Sequence, residues 1–113
     1  MSGAVLQLLA AGVFVDFSIG PQTVVRIGGS SSTTYQARRT LTATAQGGDG
    51  SFSYVWGIVG GNGNMVLDSQ IGNTIRASVT YDLSDPLSDT ATVTVSATSS
   101  GATAYNSKLV SVG

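Results

Sequence analysis

The segment Thr90-Ala91-Thr92-Val93-Thr94-Val95-Ser96-Ala97-Thr98 decides the fold class of this chain. Hydroxyl and apolar side chains alternate along it without a break, so that successive residues point to opposite faces of a β-strand. One apolar face and one hydroxyl face are typical of an antiparallel sheet that packs against the core on one side and is exposed to solvent on the other. The segment therefore predicts a half-buried strand.

The same period of two recurs in other segments, and glycine-rich turn signals separate them. Strands about ten residues apart with turns between them are typical of a β-sandwich or a barrel. We therefore predict an all-β fold: an antiparallel sandwich of seven strands or slightly more. Its further strands are expected at Thr40–Ala45, Ser51–Val59, Met65–Leu67, Thr74–Tyr81 and Tyr105–Val112.

Composition excludes several classes of function. The chain has 113 residues, of which 42% are hydrophobic and 10% are charged, and its net charge is −1. A chain of this length is typical of a single domain. A net charge so close to zero produces no electrostatic field that would attract nucleic acid. The chain contains no Cys and no His, which removes thiol nucleophiles, histidine bases and the usual zinc ligands. We expect neither an enzyme nor a bound cofactor.

The apolar N-terminus is a poor targeting segment. The first 25 residues contain no Lys or Arg, whereas a secretory signal begins with basic residues. The apolar run around Leu6–Ala11 is also too short to span a bilayer. The expectation is a protein that neither is secreted nor contacts a membrane.

The stretch Gly28–Thr34 (GGSSSTT) has the composition of a flexible hinge. It predicts two parts, an N-terminal arm with its hinge (residues 1–36) and a sandwich domain (residues 37–113). The arm is more apolar than a small sandwich needs, so that a partner is expected to cover it. An alternative makes Val13–Ile19, which also alternates, the first strand of the sandwich. The expected partner-binding residues of the arm are Val5, Leu6, Leu8, Leu9, Phe14, Phe17 and Ile19.

Two motifs suggest a family for residues 37–112. The stretch Gly47–Trp56 resembles the B–C hairpin of bacterial and phage immunoglobulin-like and PKD-like domains, where a glycine-rich turn precedes an aromatic strand with a central Trp. The stretch Asp89–Val95 resembles the strand-F pattern of Asp, any residue, Ala, any residue, Tyr, any residue, Cys. The resemblance implies an immunoglobulin-like antiparallel β-sandwich.

The family pattern also implies how the core is built without a disulfide. Ala43 lies 13 residues before Trp56, at the place of the first immunoglobulin Cys, and Val95 stands at the place of the second. Val93 replaces the Tyr of the tyrosine corner. A buried cluster is expected from residues on the apolar phases of the strands, namely Ala43, Trp56, Val79, Val93 and Val95. Trp56 stacking on a sugar is the alternative, which its alternation with Tyr54 and Ile58 disfavours.

A second resemblance covers residues 2–23. The run Ser2–Gly12, followed by Asp16 and the turn Gly20–Thr23, is similar to the N-terminal arm of major capsid proteins of large double-stranded DNA viruses, although the Asn of their turn is missing. This chain is far too short for the double jelly roll of those proteins. The resemblance implies a virion, because many phage structural proteins carry immunoglobulin-like modules.

The leading functional expectation is a virion structural protein, assembled in the host cytoplasm. It would be a capsid-associated decoration, cement or minor component that docks through its arm on other virion or capsid subunits, in many copies. Burial of the arm and strand addition at a sheet edge would hold it there. The alternative is a module of a bacterial surface or secreted protein that binds a carbohydrate, such as a host-surface glycan, or a protein receptor.

The remaining polar motifs have plain structural interpretations. Asp82, Asp85 and Asp89 lack the spacing of a rigid calcium loop and are expected to form turns, with no metal bound and no glycosidase pair. Arg38-Arg39 is either a phosphate or partner contact or, as we expect, solvated charge at the start of a strand. The glycine-rich stretches lack the Gly-Lys-Ser/Thr of a phosphate loop and are predicted to be turns.

Overall fold

The computed structural model describes residues 12–113, which form eight β-strands in two antiparallel sheets. The prediction of an all-β fold with two antiparallel sheets is thereby confirmed. None of the described residues belongs to a helix that is long and apolar enough to cross a membrane. The strands are β1 (Val13–Ile19), β2 (Thr23–Ile27), β3 (Thr34–Gly47), β4 (Ser53–Val59), β5 (Met65–Leu67), β6 (Thr74–Asp82), β7 (Asp89–Ser99) and β8 (Ala102–Val112).

Sheet A contains the strands β1-β3-β6-β5 in that spatial order, and sheet B contains β4-β7-β8. Strand β3 has 14 residues and is long enough to hold two partners on one side. Strand β1 pairs with its second half, from Leu41 to Gly47, and β2 pairs with its first half, from Thr34 to Arg38. The other side of β3 pairs with β6.

The inner faces of the two sheets form one aliphatic core with a single aromatic pair. The ring of Phe17 on β1 meets the ring of Trp56 on β4 edge to face, with 5.3 Å between centroids and 75° between planes. All five residues expected in the core lie in this cluster. Its buried members are Val15, Phe17, Ala37, Leu41, Ala43, Trp56, Met65, Ile75, Ala77, Val79, Ala91, Val93, Val95, Ala97, Val110 and Val112.

Strand β1 belongs to the sandwich, which corrects the predicted arm. It pairs with β3 over its whole length, from Val13 opposite Gly47 to Ile19 opposite Leu41. Phe17, expected to bind a partner, is only 2% exposed, because the alternation of β1 turns it towards Trp56. Phe14 and Ile19 are 52% and 37% exposed. The expected partner-binding residues Val5, Leu6, Leu8 and Leu9 lie outside the described residues.

The stretch Gly28–Thr34 joins two paired strands and is therefore not a hinge between domains. Strands β2 and β3 run antiparallel on either side of it, with Ile27 opposite Thr34. Gly28 and Gly29 have φ values of 92° and 103°, the left-handed region that glycine enters without strain. The predicted boundary at residue 37 falls inside β3, so residues 13–36 belong to the same sandwich as the rest.

The turn after β3 carries the chain from sheet A to sheet B. Strands β3 and β4 do not pair with each other, so the hairpin that the family resemblance implied for Gly47–Trp56 is a crossover between the sheets. A β-carbon at Gly47 would lie 1.7 Å from the carbonyl oxygen of Gly12, and the position therefore requires glycine. The hydroxyl of Ser99 donates to Asp49 at 2.7 Å and fixes this crossover to the end of β7.

Candidate interaction surface

The outer face of sheet B consists of side chains without charge. The residues that alternate with the core on its three strands point away from sheet A. We call this surface the hydroxyl face. It consists of Ser53, Val55, Gly57 and Val59 on β4, of Thr90, Thr92, Thr94, Ser96 and Thr98 on β7, and of Thr103, Tyr105, Ser107, Leu109 and Ser111 on β8.

Hydroxyl groups pair across β7 and β8 at every second outward-facing residue pair of the ladder. The Oγ atoms of Thr94 and Ser107 lie 2.6 Å apart, and the same contact joins Thr98 to Thr103 at 2.8 Å. Such cross-strand pairs stabilise a sheet by roughly 0.2–1 kcal/mol each. Because the hydroxyls bond to one another, they need fewer water molecules than isolated hydroxyls would, which makes the face easier to cover.

The margins of the hydroxyl face are apolar. Val55 and Val59 on β4 are 54% and 65% exposed, and Tyr105 and Leu109 on β8 are 72% and 69% exposed. Single apolar residues at a surface need no explanation. Here four of them flank the hydroxyl rows of β7, on a face that carries no charged side chain. The face thus combines uncharged hydroxyl rows at its centre with exposed apolar side chains at its two margins.

The outer face of sheet A differs in carrying charges of both signs. Asp16 on β1, Arg38 on β3, and Arg76 and Asp82 on β6 all occupy its outward phase. Arg76 pairs with Asp68 at 3.4 Å, and both side chains are more than two-fifths exposed. The charged residues of the sandwich are thus segregated away from the hydroxyl face.

Asp89 organises the loop between β4 and β5. Its carboxylate accepts hydrogen bonds from the backbone N–H groups of Asn62, Asn64 and Met65 at 2.9, 3.0 and 2.8 Å. The bond from Asn62 is the main cause that holds the pKa of Asp89 below its ordinary value, helped by Met65 and Asn64 and opposed by burial. This carboxylate is a structural acceptor, a role the sequence did not reveal.

Asp82 is the last residue of β6, and Asp85 lies in the turn that follows. Asp82 accepts from the hydroxyl of Thr33 at 2.7 Å and from the backbone N–H of Ser84 at 2.9 Å, and its pKa is lowered mainly by the bond from Ser84. Along residues 12–113 no three carboxylates come together at a distance suited to a metal ion. The three Asp residues considered for calcium are therefore not assembled into one site.

A groove of about 210 Å³ lies beside β1, lined by Asp16, Phe17, Ser18, Thr44 and Lys108. It holds a single carboxylate, and that carboxylate is paired with the ammonium of Lys108 at 2.9 Å. The two facing carboxylates that a glycosidase requires are not found in its lining.

The two adjacent arginines have different roles. Arg38 points outward and donates to the side chain of Gln36 at 2.6 Å. Arg39 lies on the inward phase of β3 and donates to the carbonyl groups of Ser111 at 2.6 Å and of Gly20 at 3.1 Å. Arg39 therefore ties sheet A to the end of β8, which corrects the expectation of a solvated charge. Its place on the apolar phase was the signal in the sequence.

Comparison with protein-family models, curated proteins and solved structures finds no match to this chain.

Proposed function

We propose that this chain is a non-catalytic virion structural protein, a decoration, cement or minor component that joins a multi-copy shell. The observation that carries this proposal is the hydroxyl face, an uncharged sheet surface with apolar margins. A partner that covers this face does not have to desolvate a charged group. Desolvation of charge is the largest cost of burying a polar surface. Interface cores are likewise depleted in charged residues.

We also propose that the sandwich is immunoglobulin-like. The order β1-β3-β6-β5 in one sheet and β4-β7-β8 in the other matches strands A-B-E-D and C-F-G of the constant-type immunoglobulin domain, with β2 as an addition. In this correspondence Trp56 lies on strand C. Asp89, Val93 and Val95 lie on strand F, where the sequence resemblance expects them.

The mode of docking differs from the one expected from the sequence, because β1 is part of the sandwich. We assign to the hydroxyl face the docking role that was expected of Phe14, Phe17 and Ile19. The proposed contacts of the arm with neighbouring subunits remain Val5, Leu6, Leu8 and Leu9. A modest contact in each copy is sufficient, since many copies on one particle act together.

Particles purified from the producing cells by density gradient test this proposal. We expect quantitative mass spectrometry to find the chain in the particle band at many copies per particle. Val59→Lys, which adds a charge to the hydroxyl face, should lower its incorporation at least about tenfold, because the new ammonium would be buried. Thr44→Lys, on the outer face of sheet A, is the matched control and should incorporate normally. A chain found only outside the particle band contradicts the proposal.

A second candidate, recognition of a carbohydrate or receptor, is favoured by one aromatic platform. Tyr35 and Tyr81 stack at 6.2 Å with 24° between their planes, and Arg26 donates to the hydroxyl of Tyr35 at 2.7 Å. Aromatic faces beside hydrogen-bond donors suit the apolar and polar sides of a sugar ring. Binding to a glycan array that is lost in Tyr81→Ala would favour this function over the first.

A further inference from the structure

The edges of the two sheets differ in how they are protected. An edge strand presents unpaired N–H and C=O groups that can bind another strand, and proteins usually block them. Strands β1, β2 and β5 lie at the margins of sheet A, and β4 and β8 lie at the margins of sheet B. Strand β2 has five residues and β5 has three, and short edges of this kind offer few groups to a partner.

Side chains form hydrogen bonds with the outward N–H and C=O groups of the β1 edge. The carboxylate of Asp16 accepts from the N–H of Phe17 at 2.8 Å, and the ammonium of Lys108 donates to the carbonyl of Phe17. The side-chain amide of Asn106 donates to the carbonyl of Val15 at 3.1 Å. A further strand would have to displace all three side chains before it could pair with β1.

The edge of β4 is also covered. The N–H of Trp56 donates to the carbonyl of Gln70 at 2.8 Å, and Val55 forms an isolated bridge with Ile71. The indole N–H of Trp56 donates to the carbonyl of Gly72 at 2.7 Å, which holds this covering segment in place.

Among the described residues, little covers the edge of β8. Its 11 residues pair with β7 on one side, and the two-residue turn Ser100-Gly101 sets the alternation of hydrogen bonds along the hairpin. The N–H and C=O groups of Tyr105, Ser107 and Leu109 consequently point away from β7. No strand within residues 12–113 pairs with them. Among residues 12–113, the only side chain that bonds to this edge is Arg39, which donates to the carbonyl of Ser111 near the end of the strand.

We propose that the β8 edge binds the β8 edge of a second copy of this chain, antiparallel, about a two-fold axis at Ser107. In this register Tyr105 of one copy lies opposite Leu109 of the other. Each opposed pair exchanges two backbone hydrogen bonds. The pairing covers the two most exposed apolar side chains of the hydroxyl face, which are 72% and 69% exposed.

A second copy fits this edge because the edge is complementary to itself. The residues on its outward phase carry no charge, so two copies bring no like charges together on that face. On the inward phase the register places Asn106 opposite Lys108 of the other copy, whereas a register centred on Lys108 would oppose two ammonium groups. A two-fold axis joins identical surfaces, which is the commonest symmetry of protein dimers.

The dimer would have one continuous sheet with strand order β4-β7-β8-β8-β7-β4. Its outer surface would be two hydroxyl faces side by side, still without charge. This inference rests on the proposed function, to which it adds a partner for the β8 edge, because a two-fold unit is a building block for a symmetric shell.

Sedimentation of the purified full chain over a range of concentrations tests the pairing. We expect a reversible monomer–dimer equilibrium. Ser107→Lys places two ammonium groups opposite each other at the axis and should weaken the dimer at least about fivefold. Val55→Lys adds the same charge to the same face at the far edge and should leave the dimer unchanged. Circular dichroism checks that both variants fold. A monomeric wild type, or equal weakening by both variants, overturns the proposal.

Chemical crosslinking supplies a second measurement that does not depend on an added charge. The chain has no Cys, so Ser107→Cys carries a single thiol. A short bismaleimide should link two Ser107→Cys chains rapidly, while Val55→Cys should stay unlinked, and the reverse pattern overturns the register. The particle experiment remains independent. A dimeric chain missing from particles contradicts the proposed function alone, and a monomeric chain present in particles contradicts this inference alone.

Discussion

Strands β1 and β8 are edges on the same side of the sandwich, one in each sheet. Among the described residues, side chains bond to three backbone groups of the β1 edge but to one of the β8 edge, the carbonyl of Ser111. The β1 edge is covered by side chains of its own Asp16 and of Asn106 and Lys108, both of which belong to β8. Two polar side chains of β8 thus cover the backbone of the neighbouring β1 edge, and none of the described side chains of β8 covers the edge of β8 itself. The comparison teaches that the protection of an edge depends on which long side chains the opposite sheet can extend to it.

The largest expected effect is the loss of β1 itself. Deleting residues 1–28 removes Val15 and Phe17 from the core and leaves Trp56 without its aromatic partner. We expect the truncated chain to be unfolded, because the removed strands bury apolar surface that nothing else covers. Thermal denaturation followed by circular dichroism measures this. A cooperative transition close to that of the full chain would show that β1 is dispensable.

Single truncations on the two strands sharpen the contrast. Phe17→Ala on β1 should destabilise the fold by about 3–5 kcal/mol, and Trp56→Ala by a similar amount, from lost apolar burial and the cavity left behind. Leu109→Ala on β8 should change the free energy of unfolding by no more than about 0.5 kcal/mol, because that side chain is 69% exposed.

A double-mutant cycle gives a further check on the aromatic pair. Phe17 and Trp56 should be coupled by about 0.5–1.5 kcal/mol. Urea denaturation of the four proteins provides the values. Additive losses would contradict the edge-to-face contact, and equal losses for Phe17→Ala and Leu109→Ala would contradict the assignment of inner and outer faces.

Lys108→Met should uncover part of the β1 edge, namely the carbonyl of Phe17. The variant keeps a side chain of similar length but removes the ammonium, which lies 5.1 Å from the Phe17 ring centroid and donates to the Phe17 carbonyl. We expect about 1 kcal/mol of destabilisation and more aggregation as concentration rises, because an open edge binds other strands. Light scattering during a concentration series measures the second effect, with Thr103→Met as the control. Unchanged scattering would show that Lys108 does not protect the edge.

A smaller effect is expected from acid, through Asp16. The hydrogen bond from Lys108, followed by that from the N–H of Phe17, holds the pKa of Asp16 below its ordinary value of 3.8. The folded state therefore binds this proton less readily than the unfolded state does. The stabilisation is present above 3.8 and is lost as the pH falls through the lowered pKa. Urea denaturation should show a difference between wild type and Asp16→Asn that is constant near neutrality and shrinks in acid. A difference independent of pH would contradict this.

No effect is expected from removing metal ions. The carboxylate of Asp89 is filled by three backbone N–H groups, and Asp82 is bound by Thr33 and Ser84. Both carboxylates are therefore already hydrogen-bonded by the protein itself. Excess chelator should leave the melting temperature unchanged, and a large decrease that calcium restores would contradict the prediction.

The strands of the sandwich were predictable because their pattern is local. The alternation of Thr90–Thr98 and of Thr74–Tyr81 is read from neighbouring residues and needs no knowledge of the partner strand. The role of the N-terminal part was harder to predict, because the glycine- and serine-rich composition of Gly28–Thr34 is the same in a linker and in a hairpin loop. What separates the two is the pairing of β2 with β3, a property of residues on both sides of the loop.

The candidate surface was less predictable than the fold. Each outward Thr and Ser of β7 is visible in the sequence, but a face without charge appears only when β4 and β8 are placed beside it. The roles of Asp89 and Lys108 depend on atoms 24 or more residues away, and no short motif encodes such a reach. Arg39 is the exception, because an arginine on the apolar phase between Ala37 and Leu41 already predicts that its guanidinium bonds to acceptors within the fold, which are the carbonyl groups of Ser111 and Gly20.

The turn Ser100-Gly101 has a consequence for the order of folding. Ser100 has a φ of 52° and Gly101 a φ of 78°, and two residues in this conformation bring β7 and β8 together with the least loss of chain entropy. Strand β1 must instead find contacts with residues up to 91 positions away. We expect the hairpin to form early and the closure of β1 to come late. During that interval the Asn106 and Lys108 side chains have no β1 backbone to cover. Refolding at high concentration should therefore be a competition between β1 and strands of other molecules for the unpaired side of β3 in sheet A.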